Sequence, residues 1–276
     1  MAIGLTEEHE ALAASVRGLV ERHGVDRAAR AAVQDGQDGR AGLRRPVFWD
    51  ALAAQGLLGL HLAEAHGGQG GGLLDQAVVL EELGRALAPG AHLPTVLGSA
   101  IIEAGGGKPA AALLPALADG SRTAAVALTG ALSGDGGTVG PVLGAPLADL
   151  LVLPLDGGDR WVVVDAADVQ VEPLESLDLT RPVGQVTVDG LAGADPDWII
   201  EGVDGRALAT VLLGAEACGV AARALDDAVA YAKLREQFGR PIGRFQGVKH
   251  RCGRMLIDLE RARAAVWDAA RALSED

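Results

Sequence analysis

The residues with the clearest chemical capacity lie between Tyr231 and Arg254, in the run YAKLREQFGRPIGRFQGVKHRCGR. Seven basic side chains gather there (Lys233, Arg235, Arg240, Arg244, Lys249, Arg251, Arg254) against a single acid, Glu236. The chain as a whole carries 37 acids against 24 Lys plus Arg, so the sign of the charge reverses locally. Such a run can serve as a plain solvated face. Arginines also meet phosphate oxygens with two aligned donors, which suits them to an anionic ligand. Phe238 and Phe245, two of only three phenylalanines, lie inside the run. An aromatic ring beside such cations can cover the flat part of a nucleotide.

Other candidate chemistry is thin. Cys218 and Cys252 are too few for a disulfide framework and lack metal-type spacing. The six histidines form no His-Glu-x-x-His cluster, so no metal centre is expected. The glycine-rich loop HGGQGGG, residues 66–72, has neither Gly-x-Gly-x-x-Gly nor Walker spacing and reads as a structural turn. GGGKP, residues 105–109, lacks the earlier glycine of a phosphate loop and has Pro where Ser or Thr belongs. A net charge of −13 and a pI near 4.9 disfavour nucleic acid as a partner. No apolar run reads as a membrane span, and MAIGLTEEHE lacks the basic and apolar regions of a leader, so the cytoplasm is expected.

Three composition zones must position these residues. Residues 1–120 read as helical. Thr6 followed by Glu7 and Glu8 predicts a helix start, and Leu12, Val16, Leu19 and Val20 share one helical face. Gln34 to Arg45 is polar and glycine-bearing and predicts a loop; Phe48, Trp49 and Leu52 suggest a short helix. Residues 121–203 change to short β-type runs separated by Gly, Asp and Pro, with Val169/Val171 and Val186/Val188 at the period of a strand. Residues 204–276 return to helix. One apolar run leads to Leu234, Gly239, Pro241 and Gly243 break it, and a second starts near Phe245. The expected class is α+β and mainly α: helices, a small central sheet or barrel, then a partial helical bundle.

The pattern Tyr231, Arg235, Phe238–Gly239, Pro241–Ile242 and Phe245–Gln246 resembles the Tyr, Arg-x-x-Phe-Gly, Pro-Ile, Phe-Gln motif of the acyl-CoA dehydrogenase family. The zone order is similar along the whole chain. The resemblance implies FAD as cofactor, an acyl-CoA thioester as substrate and α,β-desaturation with hydride transfer to the flavin. It implies an oligomer with another acyl-CoA dehydrogenase chain, and an electron-transfer flavoprotein or similar acceptor. It implies that Arg235 faces the flavin pyrophosphate, Phe238 packs on the cofactor and Gln246 hydrogen-bonds to it, the FAD being held mainly by a neighbouring subunit. Thr129 aligns with the family's flavin-binding signature at the start of the sheet, and Ser133 or Asp135 does so loosely.

The sequence also departs from that family. ALTGALSGDGG, residues 127–137, lacks the Glu-Pro pair of the signature, and VGPVLGA, residues 139–145, offers no aromatic or hydroxyl where a Trp-Ile-Ser/Thr strand belongs. The catalytic base should be a Glu in the last helices or on the helix before the basic run. The second position falls at about Ala209, so the expected Glu is not found; Glu216, further along, reads as a helix-contact residue. Only two long helices follow Gly205, where the family has a four-helix bundle. Either the chain is a truncated product or another polypeptide completes the bundle. The sequence thus admits a dehydrogenase or dehydrogenase subunit, a non-catalytic subunit completing a partner's FAD site, a non-enzymatic interaction protein, and a flavin monooxygenase or oxidase on the same fold.

Overall fold

The computed structural model describes residues 4–37, 46–157, 160–191 and 195–275. Helix α1 (Glu7–His23) starts where Thr6 caps it, its hydroxyl accepting from the His9 N–H while the His9 ring meets the Thr6 N–H. Its buried stripe, Val16 and Leu19, packs with Phe48, Trp49 and Leu52 around helix α3 (Trp49–Ala54) and with Val79 and Leu83 of helix α4 (Leu73–Arg85). Helix α2 (Val25–Gln37) runs past the loop start expected at Gln34. Its one late glycine, Gly36, costs only about 1 kcal/mol in a helix, too little to end one. The rest of that expected loop lies outside the described residues.

Helix α5 (His92–Gly105) carries no formal charge between Leu93 and Ile102 and is buried along that whole length. It lies between helix α6 (Gly107–Ala118), helix α7 (Gly205–Leu234) and the sheet. The sheet has strands β1 (Ala124–Val126), β2 (Gly137–Leu143), β3 (Leu150–Leu155), β4 (Arg160–Asp165), β5 (Gln170–Leu174), β6 (Val183–Val188) and β7 (Ile199–Glu201) in the order β5-β6-β2-β1-β3-β4-β7. The β1–β3 pair is parallel and the other pairs are antiparallel. The two-residue period divides two cores: Leu150 and Val152 face the helices, Leu151 and Leu153 the opposite side with Val186 and Val188. Val186 and Val188 keep the expected alternation, whereas Val169 lies just before β5. Trp161 is buried, as a sheet-core residue should be, and its indole N–H donates to the Val203 carbonyl at 3.1 Å.

Asp204 caps α7, accepting from the Arg206 and Ala207 N–H groups. Leu208, Val211, Leu212 and Ala215 carry its first half into the main core. By length and composition α7 could cross a membrane, contrary to the reading that no run is long enough; half of its most apolar stretch is buried inside the protein, as in a core helix. Helix α8 (Gln246–Glu275) runs back along α7, its far end returning to the core through Ala270, while Met255, Leu256 and Ile257 are exposed.

The glycine-rich loop is a packed turn. A Cβ on Gly68 would stand 2.1 Å from the Leu62 carbonyl oxygen, so glycine is required there. Glu103 holds the same corner, accepting from the Ala63 N–H at 2.9 Å and meeting the His66 ring at 2.7 Å.

Candidate functional site

The basic run forms the corner between α7 and α8. The Arg235 N–H donates to the Tyr231 carbonyl as α7 ends, and the Arg235 carbonyl accepts from Ile242 N–H, both at 2.8 Å. Between them strands β8 (Glu236–Gln237) and β9 (Arg240–Pro241) pair antiparallel around a two-residue turn, Phe238–Gly239. Both turn residues have positive φ, 52° and 73°, which a tight hairpin demands and which glycine accepts freely but phenylalanine does not. Phe238 is 92% exposed in that strained geometry. Its ring meets Phe245 edge-on, 6.1 Å between centroids at 85°, and the Arg240 guanidinium lies 4.3 Å from the Phe245 centroid. A Cβ on Gly243 would stand 2.9 Å from the Ala232 carbonyl oxygen, so glycine lets the corner close on α7.

The cations of this corner are uncompensated. Arg235, Arg240, Arg244, Lys249 and Arg251 are exposed and make no ion pair among the described residues; Arg254 reaches Asp258 at 4.0 Å. Gln246 opens α8 with its side chain exposed. Arg235, Phe238 and Gln246 are thus brought to one corner. An outward-held aromatic with free guanidinium groups fits a flat anionic nucleotide approaching from outside the chain.

Thr129 and Ser133 lie apart from this corner in the chain, on the loop joining β1 to β2. Both are exposed. The Thr129 hydroxyl donates to the Gly140 carbonyl at 3.3 Å and that of Ser133 to the Gly136 carbonyl at 3.2 Å. The Ser133–Gly136 turn is closed further by reciprocal backbone bonds at 3.1 and 2.9 Å. Both hydroxyl protons are therefore used within the loop, leaving only oxygen lone pairs to face a ligand.

Ala209 is buried in α7 with no acidic group of its own. Glu216 is committed elsewhere. Arg181, between β5 and β6, grips it with both terminal nitrogens, one at 2.6 Å, and also donates to the Ala88 carbonyl at 3.2 Å. The His92 ring stands 3.6 Å from the same carboxylate. Burial alone would raise the Glu216 carboxyl, but its bonds to His92 and Arg181 outweigh that and hold it down at about 2. A carboxylate so acidic and fully engaged is a structural anion, in keeping with the helix-contact reading. Sequence reasoning missed Arg181 and His92 as its partners, which come from segments 35 and 124 positions away along the chain; no local signal marks them.

The chain thus combines a helical N-terminal layer, a central mixed sheet and a helical hairpin with an exposed basic and aromatic corner. Residues 6–121 match the acyl-CoA dehydrogenase N-terminal domain, and residues 208–276 match the C-terminal domain. The chain is 35% identical to acyl-CoA dehydrogenase IpdE2 of Mycolicibacterium smegmatis, over 96% of this chain and 77% of that one. It is 39% identical to acyl-CoA dehydrogenase FadE34 of Mycobacterium tuberculosis, over 100% of its own length but only 39% of FadE34. Its fold superposes on a chain of the ChsE4–ChsE5 complex from Mycobacterium tuberculosis with a TM-score of 0.88 and 29% identity, covering 100% of this chain and 80% of that one. A chain of the Tcur3481–Tcur3483 steroid ACAD G363A variant is similar at a TM-score of 0.82 and 31% identity, over 98% and 78%. The chain belongs to the acyl-CoA dehydrogenase family.

Proposed function

We propose that this chain is the complementing unit of a cytoplasmic, flavin-dependent acyl-CoA dehydrogenase that desaturates an acyl-CoA thioester between its α and β carbons. In this reading its corner closes over FAD held mainly by a second acyl-CoA dehydrogenase unit. FAD, when bound, accepts the hydride leaving the β carbon. Arg235 neutralises the pyrophosphate, Phe238 covers the cofactor's flat surface, and Gln246 hydrogen-bonds to it. The α proton is taken by a carboxylate of the other unit, because Ala209 cannot act and Glu216 is locked to Arg181. An electron-transfer flavoprotein or similar acceptor would take the electrons from the assembled enzyme.

One observation carries the reading: a phenylalanine held at a φ of 52° amid arginines without ion pairs, 92% exposed despite its edge-on contact with Phe245. The hairpin sets the positive φ, but a bulky exposed ring at a position that favours glycine points to a use outside the chain. Exposed apolar side chains along the hairpin (Tyr231, Leu234, Leu256, Ile257) suit burial by the other unit's helices. Two similar solved chains come from named two-protein assemblies, and FadE34 is a much longer polypeptide, so the second unit is a separate chain or a further part of the same one. The test is the flavin's visible absorption, measured on the purified chain and on its complex with a co-expressed full-length acyl-CoA dehydrogenase chain. The expected result is a colourless chain and a yellow complex that loses its colour in Arg235→Ala. A chain that is yellow by itself would sink the proposal.

A further inference from the structure

We infer that Arg240, which lies outside the family motif, is a positioning residue for the nucleotide, acting through Phe245 to hold Phe238. The inference rests on the reading of this corner as a surface that closes over FAD. Phe238 is almost wholly exposed, and its recorded ring contact is the edge-on one with Phe245 at 6.1 Å. Phe245 is in turn covered by the Arg240 guanidinium at 4.3 Å. The β8–β9 pairing sets Arg240 opposite Gln237, immediately beside the turn that carries Phe238. The hairpin and the residue that follows it into α8 therefore lay a cation over the Phe245 ring and set that ring edge-on to Phe238, the more exposed of the two.

Arg240 makes no ion pair among the described residues, so the stack is where its charge is used. A guanidinium over an aromatic face contributes about 0.5–1 kcal/mol when exposed and roughly 2 kcal/mol once desolvated, as it would be under a partner chain. Only the part of this that differs between the empty and the FAD-bound complex changes FAD affinity, so through the tenfold-per-1.4 kcal/mol relation the expected loss is at most roughly thirtyfold. A planar guanidinium stacks on a ring face better than a compact ammonium does, so lysine should only partly replace it.

The experiment compares Arg240→Ala, Arg240→Lys and Arg235→Ala in the complex with the co-expressed dehydrogenase chain. FAD affinity is read by titration and ring geometry by the visible circular dichroism of bound flavin, with gel filtration to follow assembly. The expected result is weaker FAD binding and an altered flavin dichroism in Arg240→Ala, partial recovery in Arg240→Lys, and intact assembly. Full affinity and unchanged dichroism in Arg240→Ala, alongside flavin loss in Arg235→Ala, would overturn the inference and leave the underlying reading standing. Unchanged flavin in both alanine variants would overturn the reading itself, and the inference with it. Failure of Arg240→Ala to assemble would assign Arg240 to the contact between chains and overturn its role at the nucleotide.

Discussion

Phe238 concentrates the conflict between stability and use in a single residue. A non-glycine side chain in the left-handed region costs about 1 kcal/mol, and a ring this exposed recovers little of it by burial. Phe238→Gly should therefore leave the thermal midpoint of the isolated chain unchanged or raise it, by up to about 1 kcal/mol of stability. The same variant should weaken flavin retention in the assembled complex. Differential scanning calorimetry on the chain and flavin release from the complex check the two halves separately. A clear fall in the midpoint would mean that the ring already has a packing role inside this chain.

At the scale of elements, the crossing of α4 and α7 depends on two glycines that face each other's backbones. A Cβ on Gly219 would lie 1.9 Å from the Glu81 carbonyl oxygen, and one on Gly84 would lie 2.4 Å from that of Glu216. Alanine is the better helix former by about 1 kcal/mol, so propensity alone predicts that Gly219→Ala stabilises. The clash is with rigid backbone on both sides, and overpacking of that kind costs about 1–3 kcal/mol or more. The expected outcome is net destabilisation in urea unfolding. A gain in stability would show that the two helices separate at no cost.

For the molecule as a whole, buried titratable groups determine how it withstands acid. Burial pushes the His61 imidazole down to about 4 from an ordinary 6.5, and His92 is lowered by the same cause. A depressed folded value means that the unfolded chain binds protons first. The histidine contribution is therefore complete above pH 6.5 and is lost as the pH falls toward 4. Glu216, at about 2 against an ordinary 4.5, adds stability that is present above pH 4.5 and lost on descending toward 2. Each group steepens the loss by up to about 1.4 kcal/mol per pH unit within its window. Urea midpoints measured from pH 7 to pH 3 should fall continuously, and His61→Gln should flatten the upper part of the descent. A plateau between pH 6.5 and pH 4 in the unaltered chain would contradict this assignment.

Much of this protein was legible in its sequence because the relevant physics is local. The Thr6 cap, the period-two valines of β6 and the breakers after Leu234 act within a few residues, so element types and their order could be read directly. The same holds for the family motif, which is contiguous along one turn and thus places Arg235, Phe238 and Gln246 together in any fold that forms that corner. The end of α2 was misplaced because a lone glycine is a weak stop signal. What the tertiary structure alone decided is pairing between distant segments: Arg181 with Glu216 and His92, and the backbones of α4 and α7 at Gly84 and Gly219. It also decided the left-handed turn that turns Phe238 outward and lays Arg240 on Phe245. The distant pairings depend on which surfaces meet once the chain has collapsed, and residue type and spacing carry no term for that.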